Sequence, residues 1–438
     1  MSGDVVALLL YATPLFLVWY LYVRKRQSQH RASVAALNES REAGLLEPAS
    51  LHPVIDTGKC IGCGSCVAAC PEMPAHQVLG MVRRKAALVS PADCIGHGAC
   101  RTVCPVDAIT LVFGTETRGV DIPQVKPNFE SNVPGIFIAG ELGGMGLIRN
   151  AIEQGRQAIV AIAAQRPQQS SGGFDVVIVG AGPSGIAASL AAKERKLDYL
   201  TIEQDSLGGT VASFPRRKLV MTAPATLPLI GKVKFTETTK EALLEFWRNV
   251  ERKVSLNIRY GERLESVSRD ANGFELSTTK GKHRAQAVLL AIGRRGTPRK
   301  LGVPGEELSK VTYRLLDPEQ YRGQHVLIVG GGDSALESAV TISEQSGTTV
   351  TLSYRSAAFS RCKKKNREKL DAAERAGRVQ IMLESNVTRI GERDVELEQR
   401  GKVVRIPNEA VIINAGGILP TAFLKELGIE VETKYGTA

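Results

Sequence analysis

Phe174-Asp-Val-Val-Ile-Val179 runs straight into Gly180-Ala-Gly182-Pro183-Ser184-Gly185, and the junction of these two short segments decides how the chain folds. The first reads as a strand buried on both faces, the unbroken aliphatic run that parallel sheets require. The glycines keep Cβ atoms out of a tight turn and let a pyrophosphate approach the amino end of the next helix. An Ala-rich helix is expected to about Lys196, and the following strand, Leu200-Thr-Ile202, ends at Glu203. A carboxylate there accepts from ribose hydroxyls. A lone GxGxxG would be weak; strand, turn, helix and acid in this order make a dinucleotide-binding fold.

The pattern recurs downstream. His325-Val-Leu-Ile-Val329 leads into Gly330-Gly331-Gly332-Asp333-Ser334-Ala335, a helix, and the strand Thr349–Leu352. This unit ends in Tyr354-Arg355-Ser356 instead of an acid. Arg355 attracts a 2′-phosphate that a carboxylate would repel, so NADPH is favoured, with NADH as the lesser choice. Arg361 and the lysines 363–365 extend the positive charge, and the lysines read equally as a solvated helix face or a docking patch for an acidic protein.

Upstream lies a different chemistry. Cys60-x-x-Cys63-x-x-Cys66-x-x-x-Cys70-Pro71 is followed by Cys94-x-x-His97-x-x-Cys100-x-x-x-Cys104-Pro105. Thiolates at this spacing wrap a cubane, and the fourth cysteine of each run crosses to the other cluster. Cys60, Cys63, Cys66 and Cys104 are therefore expected to hold one [4Fe–4S] cluster. Cys94, Cys100 and Cys70 hold the second, with His97 facing its fourth iron. Two readings of His97 stay open: a nitrogen ligand to a [4Fe–4S] cluster, or no ligand and a [3Fe–4S] cluster. A disulfide framework suits small secreted domains, and structural zinc lacks this three-plus-one spacing. Seven of the eight cysteines are used this way, which marks an electron-transfer protein.

With 438 residues the chain has room for several domains, and its 43 glycines suit nucleotide loops. The net charge of +11 suits an anionic membrane face or an acidic redox partner, and no nucleic-acid signature accompanies it. No hydrolase constellation stands out among only six histidines. Val5 to Val23 is an apolar run, as a helix about 28 Å long and enough for a bilayer core. Trp19, Tyr20 and Tyr22 lie near its end, and Arg24-Lys25-Arg26 follow. The expectation is a single-pass transmembrane anchor over 1–26, with the catalytic domains in the cytoplasm. A signal peptide fits less well, because no basic residue precedes the run.

Two glycine-loop folds, with further Gly-rich strand ends at Ala291-Ile292-Gly293 and Asn414-Ala415-Gly416-Gly417, resemble the two-dinucleotide-binding flavoproteins. The likeness is closest to low-molecular-weight thioredoxin reductases, thioredoxin reductase-like ferredoxin–NADP reductases and bacillithiol disulfide reductases. It implies FAD in the first fold, on Gly180, Gly182, Pro183, Ser184, Gly185, Glu203 and the Gly208-Gly209 pair. It implies NADPH in the second, on Gly330, Gly332, Asp333, Ser334, Ala335, Arg355, Ser356 and Arg361. It also implies a dimer, as in many members.

The chain departs from the family order. The closing segment of the FAD domain, expected at the carboxyl end, has its match upstream in Asn132-Val-Pro-Gly-Ile-Phe-Ile-Ala-Gly140-Glu141. A circular permutation is the expectation, with Glu141 in the place of the family's Asp. Termini that lie close in space make such a rearrangement tolerable. The expected plan is α/β: anchor 1–26, linker 27–50, a small α+β dicluster ferredoxin domain 51–113, permuted segment 114–165 and linker 166–173. The FAD domain then covers 174–302, the NAD(P)H domain 303–408, and 409–438 return to the FAD domain.

The thioredoxin reductases' Cys-x-x-Cys is missing, Ser184 stands where bacillithiol disulfide reductases carry Cys, and Cys362 is a single thiol. Electrons therefore need the iron–sulfur clusters as an exit. The expected activity is NADPH-dependent FAD/iron–sulfur electron transfer with a ferredoxin-like protein, a quinone or a membrane complex, in either direction. Two alternatives are a redox or oxygen sensor with slow flavin turnover and a disulfide reductase using an external thiol.

Overall fold

The computed structural model describes residues 3–436 apart from 49–50, 74–76, 117–118, 145, 166–172, 217, 222–223, 235–236, 271–272, 295 and 361, with side chains of the first helix described from residue 11. Arg361 and nearly all of the expected 166–173 linker therefore lie outside the described residues. The chain divides into two compact units, one built on Met1–Arg118 and the other on Gly119–Ala357 with Lys365–Lys434.

The first unit opens with a helix over Gly3–Glu42. The expected transmembrane anchor is overturned: among the described residues no helix is long and apolar enough to cross a membrane. From Tyr11 onward the apolar run is diluted by Thr13, Pro14, Trp19, Tyr20 and Tyr22, and Arg24, Lys25 and Arg26 then end it. The membrane location that rested on the anchor is overturned with it. The expected 27–50 tether is also different, because good helix formers carry the helix on to Glu42. Ser33 fastens this part to the next module, its Oγ accepting from the Met81 amide and from Gln77 Nε2, both at 3.0 Å.

That module is small and α+β. His52–Ile55 pairs antiparallel with Ile109–Val112, and Leu79–Val82 forms a hairpin with Lys85–Leu88. Between them lie two one-turn helices, Ser65–Ala68 and Ala99–Thr102. Its core contains Cys60, Cys66, Leu79, Ala86, Cys100, Ala108 and Ile109, so cysteines occupy positions where a larger domain would bury aliphatics.

In the second unit, Phe174–Val179 is a central strand as its sequence predicts, flanked in parallel by Tyr199–Glu203 and Gly281–Leu290. Val176, Val177 and Ile178 are fully buried, each contributing about 1.5–3 kcal/mol. Ile136–Ile138 joins this sheet in parallel beside Val288–Leu290. A second parallel sheet runs Val311–Thr312, Ala410–Ile413, His325–Val329, Thr349–Tyr354, Val379–Leu383. Ala410–Ile413 thus still belongs to this sheet, pairing with His325–Val329, and the return expected from residue 409 begins beyond Asn414. Gly417–Ile418 then pairs with Thr297–Pro298, and Val431–Lys434 with Val120–Pro123. The architecture is mixed α/β with two Rossmann-like sheets.

Candidate functional site

The two cysteine runs follow one backbone path. Gly62 and Gly96 have φ of 74° and 73°, and Gly64 and Gly98 have 81° and 82°. A Cβ at Gly62 would lie 2.1 Å from the Arg84 carbonyl oxygen, and one at Gly96 would lie 2.5 Å from that of Leu51. Left-handed backbone and close approach together leave only glycine. Gly64 and Gly98 then start the one-turn helices that carry Cys66 and Cys100.

Cys60, Cys63, Cys66 and Cys104 line one cavity, with Val106 and other aliphatics. Cys70, Cys94, His97 and Cys100 line the other, with Glu72. Each run's last cysteine thus sits at the other run's cavity. Both cavities open to solvent, with empty space of ≈ 310 and ≈ 370 Å³ counted out to their mouths. Among the described residues no three such groups converge as a single metal ion requires. Thiols spread around a wide wall fit a polynuclear group.

Burial pushes the Cys66 and Cys94 thiols up to about 11 and also raises Cys70 and Cys100. Cys63, at the exposed rim, is lowered by hydrogen bonds from Ser65, its hydroxyl first and its amide second. The Ala108 amide donates to Cys104 Sγ at 3.3 Å. Loading the buried positions must release protons, so assembly depends on pH as well as iron. His97 accepts the Ala99 amide on Nδ1 at 3.2 Å, and burial lowers its pKa against the charge of Glu72. Sequence reading missed Glu72. Its signal was the departure from Val106 at the matching position of the second run.

The first glycine loop lies between Phe174–Val179 and the helix Pro183–Glu194. A Cβ at Gly185 would fall 1.8 Å from the Gly180 carbonyl oxygen, which fixes helix against strand. Gly208 donates its amide to the Ala181 carbonyl at 2.9 Å, and a Cβ on Gly209 would lie 3.1 Å from Gly182 Cα. Gly180, Gly182, Gly208 and Gly209 therefore share one cradle. Buried Glu203 accepts from the Ala181 amide at 2.7 Å and the Asp205 amide at 2.8 Å. Burial raises its pKa, and each oxygen keeps a lone pair for a ribose hydroxyl. Gly140 packs on this loop, where a Cβ would sit 3.0 Å from Ser184 Cβ, and Glu141 opens the next turn. Ser184 Oγ is buried without a hydrogen-bond partner among the described residues, as a loop built to meet a ligand would leave it. The residues fit a dinucleotide.

The second loop begins at Gly330 with φ of 144°, and Gly332 caps the helix Asp333–Ser343. Ala335 is fully buried, and the Ser334 carbonyl accepts from Ser338 Oγ at 2.7 Å. Arg355 is exposed just past Thr349–Tyr354, with half-buried Ser356 beside it. Asn366 was not foreseen: its Nδ2 donates to Asp333 Oδ1 at 2.8 Å and Glu337 Oε1 at 3.0 Å. Lys218 Nζ also reaches the Glu337 carboxylate, at 2.5 and 2.6 Å. A helix rich in lysine and arginine gave no sequence cue that its asparagine braces the loop. Within the same run Lys364 pairs with Glu39 at 2.6 Å.

Two Rossmann-like sheets with glycine loops, in a chain that also carries a module with two thiol-lined cavities, define a FAD-dependent pyridine-nucleotide oxidoreductase with an iron–sulfur domain. Residues 177–437 match the pyridine nucleotide-disulphide oxidoreductase family, and the chain belongs to it. Residues 53–111 match the 4Fe-4S dicluster domain. Over 59% of this chain, the ferredoxin–NADP reductase of Ignicoccus hospitalis is 27% identical and matched across 83% of its length. Bacilliredoxin reductase Bdr of Bacillus subtilis is also 27% identical, with 59% and 82% covered. The solved bacillithiol disulfide reductase Bdr from Bacillus cereus superposes with a TM-score of 0.52 at 25% identity, covering 59% of this chain and 82% of its own.

Proposed function

We propose that the chain is an NADPH-dependent reductase that exchanges electrons singly with an acidic, ferredoxin-like protein. The observation that carries this reading is the placement of the thiols. Seven line the two cavities, while the eighth, Cys362, is fully buried with its Sγ donating to the Phe359 carbonyl at 3.8 Å, and the sequence holds no cysteine left to pair with it. A pyridine-nucleotide oxidoreductase without a dithiol pair needs another exit, and the dicluster domain supplies one. FAD when bound accepts an electron pair as hydride and releases electrons singly, and iron–sulfur clusters carry them singly.

The chain's own residues hold and orient. The loop from Gly180 to Gly185, with Gly208 and Gly209, would cradle the FAD pyrophosphate, and Glu203 would take the ribose. Gly330 to Ala335 would take the NADPH pyrophosphate, and Arg355 its 2′-phosphate. Residues 114–165 act in this reading as the relocated last segment of the FAD domain. Three contacts support that: Ile136–Ile138 in the first sheet, Gly140 against Ser184, and Val120–Pro123 paired with the chain's last strand. Disulfide reduction is disfavoured, since Ser184 offers no thiol where the bacillithiol enzymes are expected to have one.

Anaerobic titration with NADPH, followed by flavin absorbance and cluster EPR, tests the reading. Flavin bleaching with reduced-cluster signals growing in behind it is expected; a flavin left oxidised by excess NADPH and NADH would overturn it. Arg355→Gln should raise the KM for NADPH about 10- to 100-fold, the loss of a charged hydrogen bond of about 1.5–3 kcal/mol. The KM for NADH should stay nearly unchanged in the same assay.

A further inference from the structure

The two cavities are internal copies, so each serves as the control for the other. Position for position, Cys60, Cys63, Cys66, Cys70, Pro71 and Glu72 align with Cys94, His97, Cys100, Cys104, Pro105 and Val106. Because the last cysteines cross over, Val106 lines the first cavity and Glu72 the second. The cavity that lacks a fourth cysteine is therefore the one that gains a carboxylate. Among the described residues, and apart from His97 and the three thiols, Glu72 is the one lining side chain there that carries a donor atom.

His97 is a poor substitute for that cysteine. The Ala99 amide can only donate, so Nδ1 must accept with its lone pair. The neutral ring then carries its proton on Nε2, which has no lone pair left for iron. In the first copy the matching amide, from Ser65, points at the Cys63 sulfur, and a thiolate can accept it and still ligate. The same backbone device that supports a thiolate disables an imidazole.

We propose that the second cluster is held by Cys70, Cys94 and Cys100, with the Glu72 carboxylate binding its fourth iron and His97 serving as a neighbouring hydrogen-bond donor. The carboxylate lies two residues after a ligand, in a turn closed by the Met73 amide on the Cys70 carbonyl at 3.1 Å. Oxygen is a harder ligand than thiolate, so this iron is the most exchangeable of the eight. The inference rests on the two-cluster reading of the dicluster domain.

The test uses the full chain reconstituted anaerobically, with iron counted chemically and each cluster read by EPR and Mössbauer spectroscopy. Glu72→Gln should lose one iron per chain and show an oxidised three-iron signal, while His97→Ala keeps the wild-type count. The double variant His97→Cys with Glu72→Gln should recover the lost iron, which separates ligand loss from misfolding. Iron loss in His97→Ala but not in Glu72→Gln would overturn the assignment in favour of the imidazole. A wild type that already holds three irons at this site would overturn it too. The all-cysteine signal of the first cavity should persist throughout; its absence from wild type would overturn the two-cluster reading first and this assignment with it.

Discussion

The halves of the dicluster module share a backbone and differ in chemistry. Glycines at matching φ, one-turn helices at matching places and buried third cysteines (Cys66 and Cys100, 6% and 7% exposed) make them near-duplicates. At the rim they part. The first half presents Cys63, lowered by Ser65, and the second presents His97 with its Nδ1 already taken. The scaffold thus repeats one backbone path, while one or two side chains at the rim distinguish the two cavities.

The largest expected contrast comes from removing the equivalent third ligands. Cys100→Ser leaves two thiolates at the second cavity, and its cluster signal should vanish. Cys66→Ser leaves three at the first, the number that the second has in wild type. A weakened cluster should persist there, with iron affinity at least ~10-fold lower. EPR of both proteins at equal iron loading decides this, and equal loss in the two would show that the halves do not differ as argued. NADPH should still bleach the flavin in each, because these ligands lie outside the glycine loops.

Next in size are the glycines, where the halves should behave alike. Gly62→Ala and Gly96→Ala each add the left-handed penalty of about 1–2 kcal/mol and a clash with a carbonyl oxygen. Each should destabilise the module by about 2–4 kcal/mol in chemical denaturation. Gly64→Ala meets no atom within 4 Å and Gly98→Ala meets only the Leu111 methyl at 3.2 Å, so these should cost about 1–2 kcal/mol. A large difference between Gly62→Ala and Gly96→Ala would break the duplication.

What could be read from the sequence follows the same division between local and long-range. Ligand spacing, glycine loops and aliphatic strands are written along contiguous residues, so the two Rossmann-like sheets and the three-plus-one thiol sets were legible. Glu72 was missed although the crossing of Cys70 was expected, because its only mark in the sequence is a carboxylate where the second run has Val106. Asn366 and Lys218 were hidden likewise, since both meet Glu337 from distant parts of the chain. The return to the FAD domain was placed at 409, ahead of Ala410–Ile413, because an aliphatic run does not say which neighbour it pairs with. The anchor failed for another reason: apolar count outweighed the aromatic and polar residues from Tyr11 onward.

The smallest expected effect tests the rim hydrogen bond itself. Ser65 supplies both hydroxyl and amide to Cys63, whereas its counterpart Ala99 supplies an amide alone. Ser65→Ala makes the first half resemble the second in this one respect and leaves every thiolate in place. Hydrogen bonds to sulfur stabilise the reduced, more negative cluster, so their loss lowers the potential. A bond of about 0.5–1.5 kcal/mol corresponds to about 20–60 mV for one electron. Redox titration by EPR should show the first cluster falling by that amount while the second stays put. An unmoved first potential would mean that the hydroxyl contributes nothing beyond the amide, and the halves would then differ at the rim only through Cys63 and His97.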